Sequence, residues 1–78
     1  MNAFKNGQRV QICIGEPSPL IGLTGTVVRL RRADEAAWVA MDAVPAGCEN
    51  SFPFYGQEGD PREKSMLLYP RECREVQP

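Results

Sequence analysis

Ser18-Pro19-Leu20-Ile21-Gly22-Leu23-Thr24-Gly25-Thr26-Val27-Val28-Arg29-Leu30 is the stretch whose reading decides the fold of this 78-residue chain. Gly22 and Gly25, three residues apart, lead straight into a β-branched run, the pattern of a tight turn delivering the chain into a strand. Gly25 is expected either to take a positive φ or to leave no room for a Cβ, and both are conditions only glycine meets freely. The strand that follows runs from Gly25 to about Arg31. Val27 and Leu30 form its inward pair if the strand carries a bulge or a strong twist, and Arg29, Arg31 and Arg32 then face water.

Upstream, Gly7-Gln8-Arg9-Val10-Gln11-Ile12-Cys13-Ile14 alternates polar residues with Val10, Ile12 and Ile14, the period of a strand with one buried face. Gly15-Glu16-Pro17-Ser18-Pro19 ends it, because proline supplies no ladder donor and holds its neighbours extended. Downstream, Asp34-Glu35 is a polar corner before a third strand over Ala36-Ala37-Trp38-Val39-Ala40-Met41-Asp42, with Val39 and Met41 inside and Trp38 on the other face. A helix competes for this alanine-containing segment, but the corner before it and Ala43-Val44-Pro45 after it leave too few residues.

Residues 43–64 carry three prolines, three glycines and no sustained period, and read as one long irregular loop. Phe52-Pro53-Phe54-Tyr55-Gly56 within it is an aromatic knot, costly to leave in water at roughly 1.5 to 3 kcal/mol per large side chain, so at least one of Phe52 and Phe54 folds back on the barrel. Ser65-Met66-Leu67-Leu68-Tyr69 is the fourth strand. Pro70-Arg71-Glu72-Cys73 is a short helical turn opened by proline, and Arg74-Glu75-Val76 closes the chain as a fifth strand. The expected fold is all-β: a single domain over residues 1–78, built as a small five-stranded SH3-like barrel with one long loop at 43–64 and a helical turn near 70–73.

Nine basic and ten acidic residues give a net charge of -1, which removes the compositional argument for a dedicated nucleic-acid binder. There is no histidine, so a histidine-dependent hydrolase, a histidine metal site and an imidazole pH switch are all excluded. Cys13, Cys48 and Cys73 are widely spaced and are expected to be reduced thiols, Cys48 the most exposed. No apolar run approaches the roughly 20 residues needed to cross a bilayer, and Met1-Asn2-Ala3-Phe4-Lys5-Asn6 lacks the features of a signal peptide; the expectation is a cytoplasmic protein without membrane contact. A domain this small buries only about 60% of its unfolded surface, so association that covers more apolar area would stabilise it.

The candidate binding residues fall into three groups. Arg29, Arg31 and Arg32, joined by Lys5 and Arg9, are placed to grip phosphates; three such contacts would give a log-log salt slope near about -2.7, enough for weak binding. The competing reading is a solvated strand face balanced by Asp34 and Glu35. Trp38 with Phe52, Phe54 and Tyr55 could stack on bases or on a partner's side chains, or form a satellite core under the loop. Tyr69 beside Pro70 either lines a groove for an extended peptide or caps the barrel with its hydroxyl in water.

Nothing in the chain supplies a catalytic constellation. Asp34 and Glu35 are adjacent and point to opposite faces of a strand, Glu72 and Glu75 alternate with Arg71 and Arg74 as surface charge, and Cys48 has no histidine to activate it. The chain is expected not to be an enzyme and to carry neither cofactor nor metal.

Gly7-Gln8-Arg9-Val10-Gln11-Ile12, together with Ser18 to Val27, resembles the opening of a KOW motif, found in NusG-type transcription factors and some ribosomal proteins. In that family a Gly-Asp-x-Val-x-Val strand leads through a proline-containing loop to a glycine and a Gly-x-Val strand. Gly25 matches the glycine, and Val27 and Leu30 match the apolar positions after it. Gln8 stands in place of the usual acid, and the middle loop is long. The likeness covers residues 7–42 and, weakly, 65–76, and it implies an SH3-like barrel that binds RNA, ribosomal surfaces or other proteins.

A looser resemblance is to the type II dihydrofolate reductases, small SH3-like barrels with similar outlines at Gly7-Gln8-Arg9-Val10 and Leu67-Leu68-Tyr69-Pro70. That family's ligand-binding glutamine falls at Leu67 and its strand-one lysine near Ile12, so the resemblance implies the architecture and a tendency to assemble, and not the activity. The expected function is a non-catalytic binding module whose partner is a protein, with RNA second and weak; the alternative is a homo-oligomeric ligand-binding barrel.

Overall fold

A computed structural model of the chain describes residues 3–77. Its five strands are β1 (Arg9–Ile12), β2 (Thr24–Arg31), β3 (Ala36–Met41), β4 (Ser65–Leu68) and β5 (Cys73–Glu75), joined into one antiparallel sheet in the order β4-β3-β2-β1-β5. Three 3-10 turns, Ser18–Leu20, Glu49–Ser51 and Pro70–Glu72, are the helical elements among the described residues. The architecture is the expected all-β one, with the proline-opened turn directly before β5. Among the described residues β4 and β5 do not pair, so the sheet curls without closing and the barrel is approximate.

The two glycines divide the work expected of one. Gly22 takes φ +95°, and its N–H donates to the Ile12 carbonyl (2.8 Å) while the Ile12 N–H donates to Leu23 (2.9 Å), fixing the turn to the end of β1. Gly25 instead lacks room. A Cβ there would lie 2.7 Å from the Ala40 carbonyl oxygen and 2.9 Å from both Met41 Sδ and Val39 Cγ1. Gly25 stands opposite Met41 on β3 and opposite Val10 on β1, so two strands close on it from either side.

Alternation places Val10, Ile12, Val27, Ala37, Val39, Met41, Met66 and Leu68 in one core with Phe4, Leu20, Cys48, Phe52 and Cys73. The register of β2 on β3 shifts between Val27 and Arg29, a bulge that restores Leu30 to the inner side opposite Ala37. Leu30 is nonetheless 39% exposed, lining a surface hollow with Phe4 and Ala36. Ile14 also departs from expectation: it lies outside β1 and is 64% exposed. The N–H groups of Cys13 and Ile14 both donate to the Glu72 carbonyl (2.7 and 3.2 Å), which bends the chain out of the ladder before the alternation can place Ile14 inside.

The segment from 43 to 64 is ordered as a succession of turns. Backbone N–H groups of Tyr55, Gln57, Asp60, Glu63 and Ser65 each donate to the carbonyl three residues earlier. Phe52 folds into the core, 2% exposed, and Cys48 is buried beside it rather than being the most exposed thiol; that place belongs to Cys13. A buried thiol packs as a small hydrophobe, which is why the start of the Glu49–Ser51 turn can anchor there.

Candidate interaction surface

Alternation puts Trp38 on the outer face of β3, between Arg29 on β2 and Leu67 on β4, so that the three form one row across the sheet. The long loop returns over this row. The rings of Trp38 and Phe54 lie with centroids 5.6 Å apart and planes tilted by 58°, and the guanidinium of Arg62 sits 3.9 Å from the Phe54 centroid. Arg62 in turn forks onto Asp60 through Nε (3.1 Å) and Nη2 (2.9 Å), while its own backbone N–H donates to the same carboxylate (2.8 Å). These donors hold the Asp60 carboxyl below its ordinary range. Between the bulge and this arm runs a groove of about 610 Å³, lined by Val28, Arg29, Asp60, Pro61 and Arg62.

The predicted aromatic group is therefore split three ways. Phe52 is core, Phe54 is packed on Trp38, and Tyr55 is 48% exposed.

The arginine edge is split as well. Arg29 lines the groove and, among the described residues, makes no ion pair. Arg31 is forked onto Asp34, whose carboxylate also accepts the Tyr69 hydroxyl proton (3.1 Å); Arg31 Nη2 donates to the same hydroxyl oxygen (3.3 Å). Those bonds, with desolvation opposing them, lower the Asp34 carboxyl to about 2. Arg32 lies in the hairpin turn, at the rim of an apolar hollow of about 230 Å³ floored by Phe4, Leu30 and Ala36.

Lys5 and Arg9 do not join this edge. Arg9 stands opposite Thr26, donates to Thr26 Oγ1 (3.0 Å) and is forked onto Asp42 (2.9 and 2.6 Å), which also accepts from Thr24 Oγ1 (2.6 Å). Lys5 and Arg9 line a separate hollow with Gln8, Glu75 and Gln77.

Tyr69 holds its hydroxyl against Arg31 and Asp34 at the solvent-exposed surface. Besides the bonds to Arg31 and Asp34, its ring lies 4.6 Å below the Arg71 guanidinium, and its backbone N–H donates to Glu72 Oε1 (2.9 Å). Glu72 is thus a cap on the Pro70–Glu72 turn rather than surface charge. Glu75 accepts from Gln8 Nε2 (2.8 Å) and Arg74 donates to Gln11 (2.7 Å), both joining β5 to the β1 side of the sheet. The carriers of the groove that sequence reasoning missed are Val28, Asp60, Pro61 and Arg62. The Asp60-Pro61-Arg62 spacing, which lets a guanidinium fork back on an acid two residues earlier, was the available signal.

Other chemistry is sparse. Burial raises the Cys73 thiol to about 12, so it stays protonated. Among the described residues no three of Cys, Asp and Glu converge as metal ligands do. Ile12 lies in the core while Leu67 flanks Trp38 on the outer face, so the two positions that carry ligand-binding groups in type II reductases point away from each other here.

No protein-family model and no curated protein matches the chain. Its architecture and strand order define a small barrel of the KOW-like, SH3-like kind. Among solved structures, a chain of the MjSpt4:Spt5 complex in its conformation B has this fold: the two superpose with a TM-score of 0.65 over 100% of the present chain and 40% of that one, at 14% identity. The present chain thus spans about two fifths of its neighbour's length, and identity this low concerns the fold alone.

Proposed function

We propose that this chain is a non-catalytic binding module whose partner is a protein, contacted through the outer face of β2 and β3 and the returning arm of the long loop. The observation that carries this reading is the Trp38–Phe54–Arg62 stack beside the exposed Val28 and beside Arg29, which makes no ion pair among the described residues. Aromatic and arginine side chains held rigidly next to exposed hydrocarbon are the composition of protein-contact anchors. The solved neighbour comes from an assembly of two proteins, Spt4 and Spt5, which is consistent with such a role.

Nucleic acid is the weaker partner. Arg9, Arg31 and Arg62 are each neutralised by an aspartate, and the Phe54 ring is engaged by both Trp38 and Arg62 rather than open to a base. The same pairing speaks against catalysis, since Asp34, Asp42 and Asp60 are all held ionised by arginines and none is poised to exchange a proton near neutral pH.

The test is affinity capture from cell extract with the wild-type protein and an Arg29→Glu/Phe54→Ala variant, alongside an amide-resolved titration with mixed-sequence single-stranded RNA at low and physiological salt. At least one protein should be retained by the wild type and lost from the variant, and RNA shifts should vanish with salt. Identical protein retention, or RNA shifts at Arg29 and Trp38 that survive physiological salt, would overturn the reading.

A further inference from the structure

We propose that the groove between the β2 bulge and the Asp60–Arg62 arm receives an extended peptide segment of a partner, one that sets a carboxylate side chain beside an aliphatic one. This rests on the protein-binding reading above and names the chemistry it takes.

The bulge is the first support. It leaves Val28 without a partner on β3 and turns it outward, 49% exposed, at the rim of the groove. Bulges re-aim side chains beside functional sites, and nothing in the sheet itself requires an outward valine here. Pro61 lines the same groove from the loop, so sheet and loop both contribute hydrocarbon to it. At about 610 Å³ the space is in the range of a ligand site, roughly 300 to 1,000 Å³, and holds a few residues of extended chain.

The charges supply the second. Asp60 and Arg62 satisfy each other through a fork, leaving no demand on a ligand from that wall. Arg29 is the one guanidinium lining the groove without an acid among the described residues, so the lining carries a single uncompensated positive charge. A carboxylate meets a guanidinium through two parallel hydrogen bonds, and one carboxylate balances the site. A nucleic-acid strand brings a phosphate with every nucleotide, which one free cation and the Asp60 carboxylate do not match.

The third is rigidity. Arg62 is fixed by Asp60 on one side and stacked on Phe54, which Trp38 holds in turn, so the wall is formed before anything binds and little ordering is left to offset.

The experiment is an amide-resolved titration of the full chain with two capped heptapeptides, Ser-Leu-Glu-Ser-Leu-Glu-Ser and its counterpart with lysine in place of glutamate. The acidic peptide should shift Val28, Arg29 and the amides of 60 and 62, and bind at least about tenfold more tightly than the basic one, the loss expected for one charge-assisted contact. Arg29→Glu should invert that order. Equal affinities, or no shift at millimolar peptide, would overturn the proposal. Shifts centred on Trp38 and Tyr55 without charge preference would overturn it while leaving the protein-binding reading intact. An oligouridylate that moves the groove amides at lower concentration than either peptide would overturn both.

Discussion

The guanidinium carbon of Arg62 lies 3.9 Å from the centre of the Phe54 ring, whose other aromatic neighbour is Trp38 at 5.6 Å. Trp38 is the single tryptophan of the chain, so its emission reports this stack directly. Phe54→Ala should shift that emission to the red, raise its quenching by acrylamide and cost about 1 to 2 kcal/mol, the sum of an aromatic pair and a cation–π contact. Unchanged emission would show that the loop does not lie on the sheet in solution.

Gly22 and Gly25 should answer differently to substitution. Nothing lies within 4 Å of a Cβ at Gly22, where only the backbone conformation resists, so Gly22→Asn is expected to cost less than about 1 kcal/mol. At Gly25 even Gly25→Ala must displace the Ala40 carbonyl and two core side chains, and a loss of about 1 to 3 kcal/mol is expected. Urea denaturation of the two variants separates these cases, and equal losses would mean that the closeness at Gly25 is relieved by small movements.

Ser65 stands on β4 opposite Ala40, fully buried, and its Oγ has no hydrogen-bond partner. A buried hydroxyl without a partner is a liability of about 1 to 3 kcal/mol. Ser65→Ala removes it with almost no loss of volume, so the variant should be more stable than wild type by about 1 kcal/mol. A lower melting temperature would indicate that the hydroxyl is satisfied in solution.

Acid should weaken the fold through Asp34 and Asp42, each held below its ordinary value of 3.8 first by hydrogen bonds from an arginine, Arg31 and Arg9 respectively. A carboxyl whose folded value is depressed stabilises fully above its unfolded value, and loses that contribution as the pH falls through the folded one. For Asp34 the window runs from 3.8 down to about 2, and for Asp42 it extends lower. Both pairs are solvent-exposed, so the effect is modest and shrinks with added salt. Urea midpoints measured across the acid range should fall within this window, and Asp34→Asn should flatten part of the slope; a variant curve parallel to wild type would remove the pair from the account.

The open edge of β4 is protected, which predicts a monomer. Met41 N–H donates to the Lys64 carbonyl, so in this register Ser65, Leu67 and Tyr69 turn their backbone groups away from β3. The Ser65 N–H is already taken by Arg62 and the Tyr69 N–H by Glu72, which among the described residues leaves Leu67 alone with a free N–H and C=O pair on that edge. One residue does not template a strand pairing. Sedimentation at micromolar concentration should give a species of 8.7 kDa, and a stable oligomer would restore the homo-oligomeric ligand-binding barrel as the alternative.

Much of the sheet could be read along the chain because its signals are local. Val10 and Ile12, Val39 and Met41, and the proline opening the turn at Pro70 announce their environments within a few residues. The candidate site was less legible. Trp38, Phe54 and Arg29 were each identifiable as binding types, but Arg31 and Tyr69 were already committed to Asp34, and Phe52 to the core. Asp60 and Arg62 sit in a stretch with no period to mark them.

What the sequence determined by itself is the all-β class, the placing of the strands and the need for glycine at position 25, since alternation, proline and β-branching act through the backbone over a few residues. Tertiary structure alone decided which cations stay free and which aromatic faces outward. Those outcomes depend on how a loop of about twenty residues returns across β3 and on which aspartates it and the hairpin turn bring to the arginines. Contacts between residues so far apart in sequence form only once the sheet provides a surface to pack on, so nothing local in the chain encodes them.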